Sequence, residues 1–148
     1  MKKIIVFGGG GYCGSILVPQ LAKEGYLVTV FDTFLYGTEH LIGLNNVELA
    51  KGDVRNLDQV MAALKGQQYV LHLACISNDA SFVLDEKLST SVNLDSFEPL
   101  VIAAKEAGVQ RFIFASSSSV YGVSEHPDVT EDHPLVPLTL YNKYKGMC

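Results

Sequence analysis

The sequence predicts an α/β fold, a doubly wound parallel sheet, and three observations predict it. Short β-branched apolar runs recur along the chain, each ending at a glycine, an acid or a polar turn. Helical patterns of apolar residues separate them. Glycines at Gly8, Gly11 and Gly14 mark the first junction between strand and helix. Strands that alternate with helices pack as a parallel sheet covered on both faces, with right-handed crossovers.

The elements follow in order. KIIVF reads as a strand buried on both faces, and ILVPQLAKEG as a helix stopped by Gly25. Pro19 falls inside that helix or near its first turns. YLVTVFD is a second buried strand ending in an acid, and VELAKGD a third. LDQVMAALKG is a helix capped by Asn56 and ended by Gly66, and QYVLHLA is a fourth strand. A long helix is expected from about Asp85 to Ala107, bent or tightened near Pro99, where the missing N–H costs about 3 kcal/mol. QRFIFASSSS is a fifth strand running into serines, and LYNKYKGM begins a last helix. The expected strand order is 3-2-1-4-5, with a ligand crevice between strands 1 and 4, where the order reverses.

Composition sets the broad class. The chain has 148 residues, 48% apolar and 18% charged, which suits one globular domain over residues 1–148. A net charge of −5 with no basic patch argues against nucleic acid as a partner. Cys13, Cys75 and Cys148 have no metal spacing, so no metal site is expected, and a reducing compartment suits them. No segment approaches the ~18 apolar residues of a membrane span, which makes the cytoplasm the default location.

The glycines carry the first functional signal. A tight turn between strand and helix needs positive φ, which glycine adopts freely. A pyrophosphate on the helix N-terminus needs bare backbone, and the last glycine lets helix and strand pack closely. Gly9 and Gly10 keep the turn small. A glycine-rich turn without ligand is the plainer alternative, and Asp32 weighs against it. Asp32 ends the second strand 18 residues after Gly14, close to the ~20 at which an acid grips an adenosine ribose. A carboxylate there accepts from both ribose hydroxyls and repels a 2′-phosphate, so NAD is favoured over NADP. The corner residues Tyr12 and Cys13 join the candidate cofactor contacts, although Cys13 also suits a small apolar filler.

With those residues in place, the chain resembles the extended short-chain dehydrogenase/reductase family, the nucleotide-sugar epimerases and dehydratases of Rossmann-like fold. The matching pieces are GGGGYCGS, Asp32, GDVRN, HLAC, SVNLD, SSSSVYG and YNKYK, in the family's order and over essentially the whole chain. The resemblance implies that Asp53 and Val54 contact the adenine and that Leu73, Ala74 and Cys75 line the cofactor groove. It implies that Asn93 stands near the cofactor and holds the active-site helices. Ser117 takes the place of the catalytic Ser or Thr, and Tyr141 and Lys145 form the Tyr-x-x-x-Lys pair. A homodimer, paired through two helices, is implied as well.

The chemistry of the pair follows from its residue types. Residues four apart share a helix face, as they also do on any amphipathic surface. A tyrosine of pKa ~10 is a poor base at pH 7, and moving it about three units takes roughly 4 kcal/mol. The Lys145 ammonium and a positively charged nicotinamide are expected to favour the phenolate. Tyr141 then takes a proton from a sugar hydroxyl as hydride leaves for NAD, and Ser117 holds the same oxygen. Dehydratases of the family carry acids just after the catalytic Thr. Ser118 and Ser119 stand here instead, which favours an epimerase, or a 4-keto reductase, over a 4,6-dehydratase. A non-catalytic NAD-binding sensor is the alternative of another class, and it has no need of Ser117, Tyr141 and Lys145.

His72 is read as a satisfied structural histidine, and His40, His126 and His133 as solvated in polar loops. Tyr121 and Gly122 are expected to shape the turn after the fifth strand. Cys148 lies three residues past Lys145, and the family continues into further strands and a smaller substrate domain. The chain is therefore expected to be the amino-terminal, cofactor-binding portion, with its fifth strand an uncovered edge and no turnover of its own.

Overall fold

The computed structural model describes residues 1–125 and 127–148, so the expectation for His126 lies outside the described residues. The strands are β1 (Lys3–Phe7), β2 (Leu27–Asp32), β3 (Val47–Lys51), β4 (Tyr69–His72) and β5 (Arg111–Phe114). They form one parallel sheet in the expected order, β3-β2-β1-β4-β5, with β1 paired to β2 on one side and to β4 on the other. The helices are α1 (Tyr12–Lys23), α2 (Leu57–Leu64), α3 (Asp79–Leu84), α4 (Glu86–Thr90), α5 (Phe97–Glu106) and α6 (Leu140–Met147). A π-helical turn, Ser91–Asp95, joins α4 to α5, and a 3₁₀ turn, Ser118–Tyr121, follows β5.

Alternation along β1 divides the core. Ile5 and Phe7 face a cluster with Phe31, Val60, Leu64, Val70, Leu100 and Ala104, which buries α2 and α5 on one side of the sheet. Ile4 and Val6 face Val18, Val28, Val30 and Leu41, which buries α1 on the other. Ile5, Val6 and Phe7 have no exposed surface, as a central strand covered on both faces requires.

The corner after β1 explains its glycines. Gly8 has φ +79°, and a Cβ there would stand 2.6 Å from the Ala74 Cα, so the main chain after β4 occupies the space of a side chain. A Cβ on Gly14 would stand 2.6 Å from the Gly9 Cα, which packs α1 directly on the turn that precedes it. The first contact closes β1 against the end of β4, and the second fixes where α1 begins.

Pro19 lies inside α1, the first of its two expected placements. Other details depart from the sequence reading. The long helix does not tighten near Pro99; it widens upstream into the π turn, closed by Ser96 N–H donating to the Ser91 carbonyl at 3.2 Å. Pro99 cannot donate to the Asp95 carbonyl and its ring crowds that oxygen, so the wider turn relieves the clash. The serines after β5 curl into the 3₁₀ turn and do not prolong the strand, and α3 is a separate short helix. His133 is tied into its loop: its Nε2 is 3.0 Å from Ser124 Oγ, its Nδ1 is 2.9 Å from the Pro134 carbonyl, and its ring meets Tyr121. His40 is exposed, as expected. Gly122 has φ +69° and closes the turn after Tyr121.

Replacing Gly8 with alanine combines a left-handed backbone with a clash against main chain. The expected destabilisation is at least about 2 kcal/mol, read as a lower urea midpoint. An unchanged midpoint would mean that Ala74 moves aside freely and that the contact does not set the corner.

Candidate functional site

The corner residues meet the second strand at its carboxyl end. Asp32 Oδ2 accepts from Gly10 N–H at 2.9 Å, and Oδ1 accepts from Phe34 N–H at 2.9 Å. The carboxylate is thereby pinned beside the glycine turn; Thr33 Oγ1 also donates to Oδ1 at 3.5 Å, and Oδ2 keeps a lone pair for a hydroxyl. No side chain caps α1, and no acid stands in its first turn. The amides of Tyr12, Cys13 and Gly14 open the helix and carry its positive end. Tyr12 and Cys13 are themselves exposed. Bare amides, an absent Cβ at Gly11 with only the Gly8 carbonyl nearby, at 3.4 Å, and a fixed carboxylate fit a dinucleotide diphosphate and its ribose.

The groove continues along the ends of β3 and β4. Asp53 binds Arg55 through its main-chain amide at 2.9 Å and through an ion pair with the guanidinium. The hydrogen bond from the Arg55 guanidinium holds the Asp53 carboxyl below its usual range. The Asp53 side chain is thus committed to Arg55, while Val54 packs against the core. Leu73 N–H donates to the Phe7 carbonyl at 2.8 Å, which extends the ladder to the point where Ala74 meets Gly8. Asn93, buried in the π turn, accepts from Ile76 N–H at 2.8 Å and donates to the Ile76 carbonyl at 2.9 Å. It locks the segment after Cys75 to the helix beneath it.

Helix α6 brings the remaining candidates to the ends of β4 and β5. Thr139 caps it, accepting from Asn142 N–H at 3.2 Å, and donates to Asp79 Oδ1 at 2.5 Å. Lys145 is buried, donates to the Ala115 carbonyl at 2.7 Å, and lies 4.6 Å from the Phe114 ring centroid and 5.9 Å from that of Tyr141. Ser117 caps the 3₁₀ turn, accepting from Ser119 N–H at 3.3 Å, and its Oγ is 2.6 Å from Ser119 Oγ. Ser119 donates to Asn142 Oδ1 at 2.6 Å, so the serine turn is tied to the residue after Tyr141.

The surroundings of Tyr141 in the ligand-free chain favour its neutral form. Burial raises its pKa, and the nearby Cys75 and Asp79 raise it further against a hydrogen bond from the Asn78 main chain. The Lys145 ammonium, 5.9 Å from the Tyr141 ring centroid, is turned to the Ala115 carbonyl. Phe82 packs its ring against Tyr141 and Tyr144, at 6.5 and 5.6 Å. Asp79, Ser119, Thr139 and Asn142 were not read from the sequence as site residues. Thr139 ahead of a helical run is a visible capping signal, whereas the partners of Ser119 and Asn142 lie 23 residues apart.

His72 is buried, with Nδ1 unpartnered among the described residues, which corrects the expectation of a satisfied histidine. The rings of Phe7, Phe97, Phe112 and Phe114 surround it. Their desolvation of the imidazolium, with the charge of Lys145, lowers its pKa from 6.5 to about 4. Above pH 6.5 the ring is neutral in both folded and unfolded chains. Between pH 6.5 and 4 the unfolded chain binds a proton that the folded chain refuses, so about 3 kcal/mol of stability is lost across that window. His72→Phe is expected to flatten this part of the stability profile in denaturant titrations. A fall in the variant equal to that of the wild type would assign the loss to other groups.

Replacing Asn93 by alanine leaves both main-chain groups of Ile76 without their partner. The expected cost is about 1–3 kcal/mol, together with faster amide exchange at Ile76. Unchanged exchange there would show that the asparagine does not hold this segment.

Comparison with known proteins gives the kinship. Residues 4–147 match the sequence profile of the NAD dependent epimerase/dehydratase family. A UDP-glucose 4-epimerase of Rhizobium meliloti (strain 1021) is 33% identical over 150 residues, covering 99% of this chain and 45% of the relative. A short-chain dehydrogenase/reductase superfamily protein from Agrobacterium tumefaciens, solved with bound NAD, superposes with a TM-score of 0.85 at 34% identity, covering 98% of this chain and 42% of that one. The UDP-N-acetylglucosamine 4-epimerase from Methanobrevibacter ruminantium M1, solved with UDP-N-acetylmuramic acid, gives 0.90 at 31% identity, covering 99% and 48%. The chain thus spans about half the length of the relatives it matches. On the profile match and these identities, the chain belongs to the NAD-dependent epimerase/dehydratase family.

Proposed function

We propose that this chain forms the NAD-binding part of a nucleotide-sugar 4-epimerase, in which a sugar hydroxyl is oxidised and the ketone is reduced on its other face. The observation that carries the reading is the pinned Asp32 carboxylate beside an uncapped helix start. Gly8, Gly11, Tyr12, Cys13 and Gly14 hold the diphosphate, and Asp32 holds the adenosine ribose. Asp53 and Val54 stand at the adenine, and Leu73, Ala74, Cys75 and Asn93 shape the groove. NAD supplies the hydride acceptor when bound.

The residues of the chain supply the rest. Tyr141 exchanges the proton of the sugar hydroxyl, and Ser117 holds the oxygen. Lys145 lies between Tyr141 and the main chain after β5, within reach of a nicotinamide ribose once it leaves Ala115. The raised pKa of Tyr141 makes the ammonium and the positive nicotinamide the groups that bring the phenol into range, so a base forms with the cofactor in place. Ser118 and Ser119 offer no acid for loss of water, which favours epimerase or 4-keto reductase chemistry over dehydration. The sugar nucleotide is bound by the complete protein, as a homodimer built on the α5 and α6 face, where Ile102 and Met147 are exposed. No described helix is long and apolar enough to cross a membrane.

Two measurements test this function. Calorimetry is expected to show binding of NAD in preference to NADP, with NAD affinity falling roughly tenfold or more in Asp32→Ala; absence of heat with NAD would overturn the assignment. In the complete protein, Tyr141→Phe is expected to lower turnover of nucleotide sugars by roughly a hundredfold or more. Wild-type rates in that variant would remove Tyr141 from the chemistry.

A further inference from the structure

Three hydrogen bonds around Ser117 leave little freedom. A hydroxyl has one proton and two lone pairs. Ser119 donates its only proton to Asn142 Oδ1 at 2.6 Å. Its contact with Ser117 Oγ, also 2.6 Å, is therefore made by the Ser117 proton. Ser117 also accepts from Ser119 N–H at 3.3 Å. One lone pair is left, so Ser117 can meet a ligand only as an acceptor. Asn142 is buried and its main chain is held by Thr139, so the residue stands at the head of this short chain of hydroxyls while its amide keeps its own torsion.

We propose that Asn142 sets the proton polarity of the Ser117–Ser119 hydroxyl pair, and so decides whether Ser117 offers the reacting oxygen a lone pair or a proton. The inference rests on the epimerase function proposed above. In the resting complex the alcohol rests its one proton on the Ser117 lone pair, and once Ser117 turns to a donor that proton is free to pass to Tyr141. The ketone formed from the alcohol has only lone pairs and needs a donor. Rotating the Asn142 amide presents Nδ2–H to Ser119. Ser119 then donates to Ser117, and Ser117 donates to the ketone oxygen. Each proton stays on its own oxygen, and Tyr141 remains the group that exchanges one with the substrate. An asparagine can serve both states because its amide carries an acceptor at one end and donors at the other. Ser119 and Asn142 touch neither substrate nor cofactor in this scheme; they are positioning residues acting through Ser117.

Neutron diffraction from the ligand-free protein tests the polarity directly. The Ser119 deuteron is expected on the line to Asn142 and the Ser117 deuteron on the line to Ser119; a Ser119 deuteron pointing away from Asn142 overturns the proposal. Kinetics of the complete protein with its nucleotide-sugar substrate test the consequence. Ser119→Ala and Asn142→Ala are expected to lower kcat roughly tenfold to a hundredfold, with KM within about threefold and NAD content unchanged. Ser119→Thr, which keeps the hydroxyl, is expected to restore kcat to within about threefold of wild type. Wild-type kcat in Ser119→Ala, equal losses in Ser119→Thr and Ser119→Ala, or a loss matched by falling NAD content would each refute it. A wild-type protein inert on every nucleotide sugar refutes the epimerase function instead, and the neutron arm then decides the polarity alone.

Discussion

Main chain packed on main chain at the first βα corner is the constraint on which the remaining structure depends. Gly8 lies so close to Ala74 that no side chain fits between them, and Gly14 lies as close to Gly9. These contacts draw the end of β4 against β1 and start α1 directly over the turn. The strand order reverses at this place, where a doubly wound sheet puts its ligand crevice. Asp32 is fixed to the same corner through the Gly10 amide. One set of short contacts therefore builds the sheet junction, the helix start and the carboxylate position together.

The other half of the site is assembled by side chains. Asn93 holds the segment after Cys75, Thr139 joins α6 to Asp79, Lys145 reaches Ala115, and Asn142 reaches Ser119. The last three attach α6 and its cap to Asp79, Ala115 and Ser119, beyond the ends of β4 and β5. They also share their atoms economically, since Thr139 caps the helix and donates to Asp79 with the same hydroxyl. The π turn belongs to this arrangement: it carries Asn93 and lies just before the proline that ordinary helix geometry would not accommodate.

Charge is managed by burial here. His72 sits in a box of four phenylalanine rings one strand away from Lys145, and its neutrality leaves Lys145 as the buried cation of the site. A second positive charge beside it would compete with the lysine for the same low-dielectric space. Burial likewise favours the neutral Tyr141 phenol, raising its pKa.

The amino-acid sequence by itself determined the strands, their order, the glycine corner and the acid at the end of β2. Periodicity, glycine placement and chain connectivity are local or topological, and they constrain the backbone before any side chain packs. Tyr141 and Lys145 were marked by the family resemblance of YNKYK taken with the serines and the glycine corner, since a spacing of four alone occurs on any helix surface. Only the tertiary structure decided that Pro99 is accommodated by a wider turn, that His72 Nδ1 is left without a partner among the described residues, that Lys145 turns to Ala115, and that Ser119 meets Asn142. The physical reason is that each depends on atoms brought together from distant parts of the chain. A serine and an asparagine carry no sign in their own neighbourhood of which distant group will take their protons.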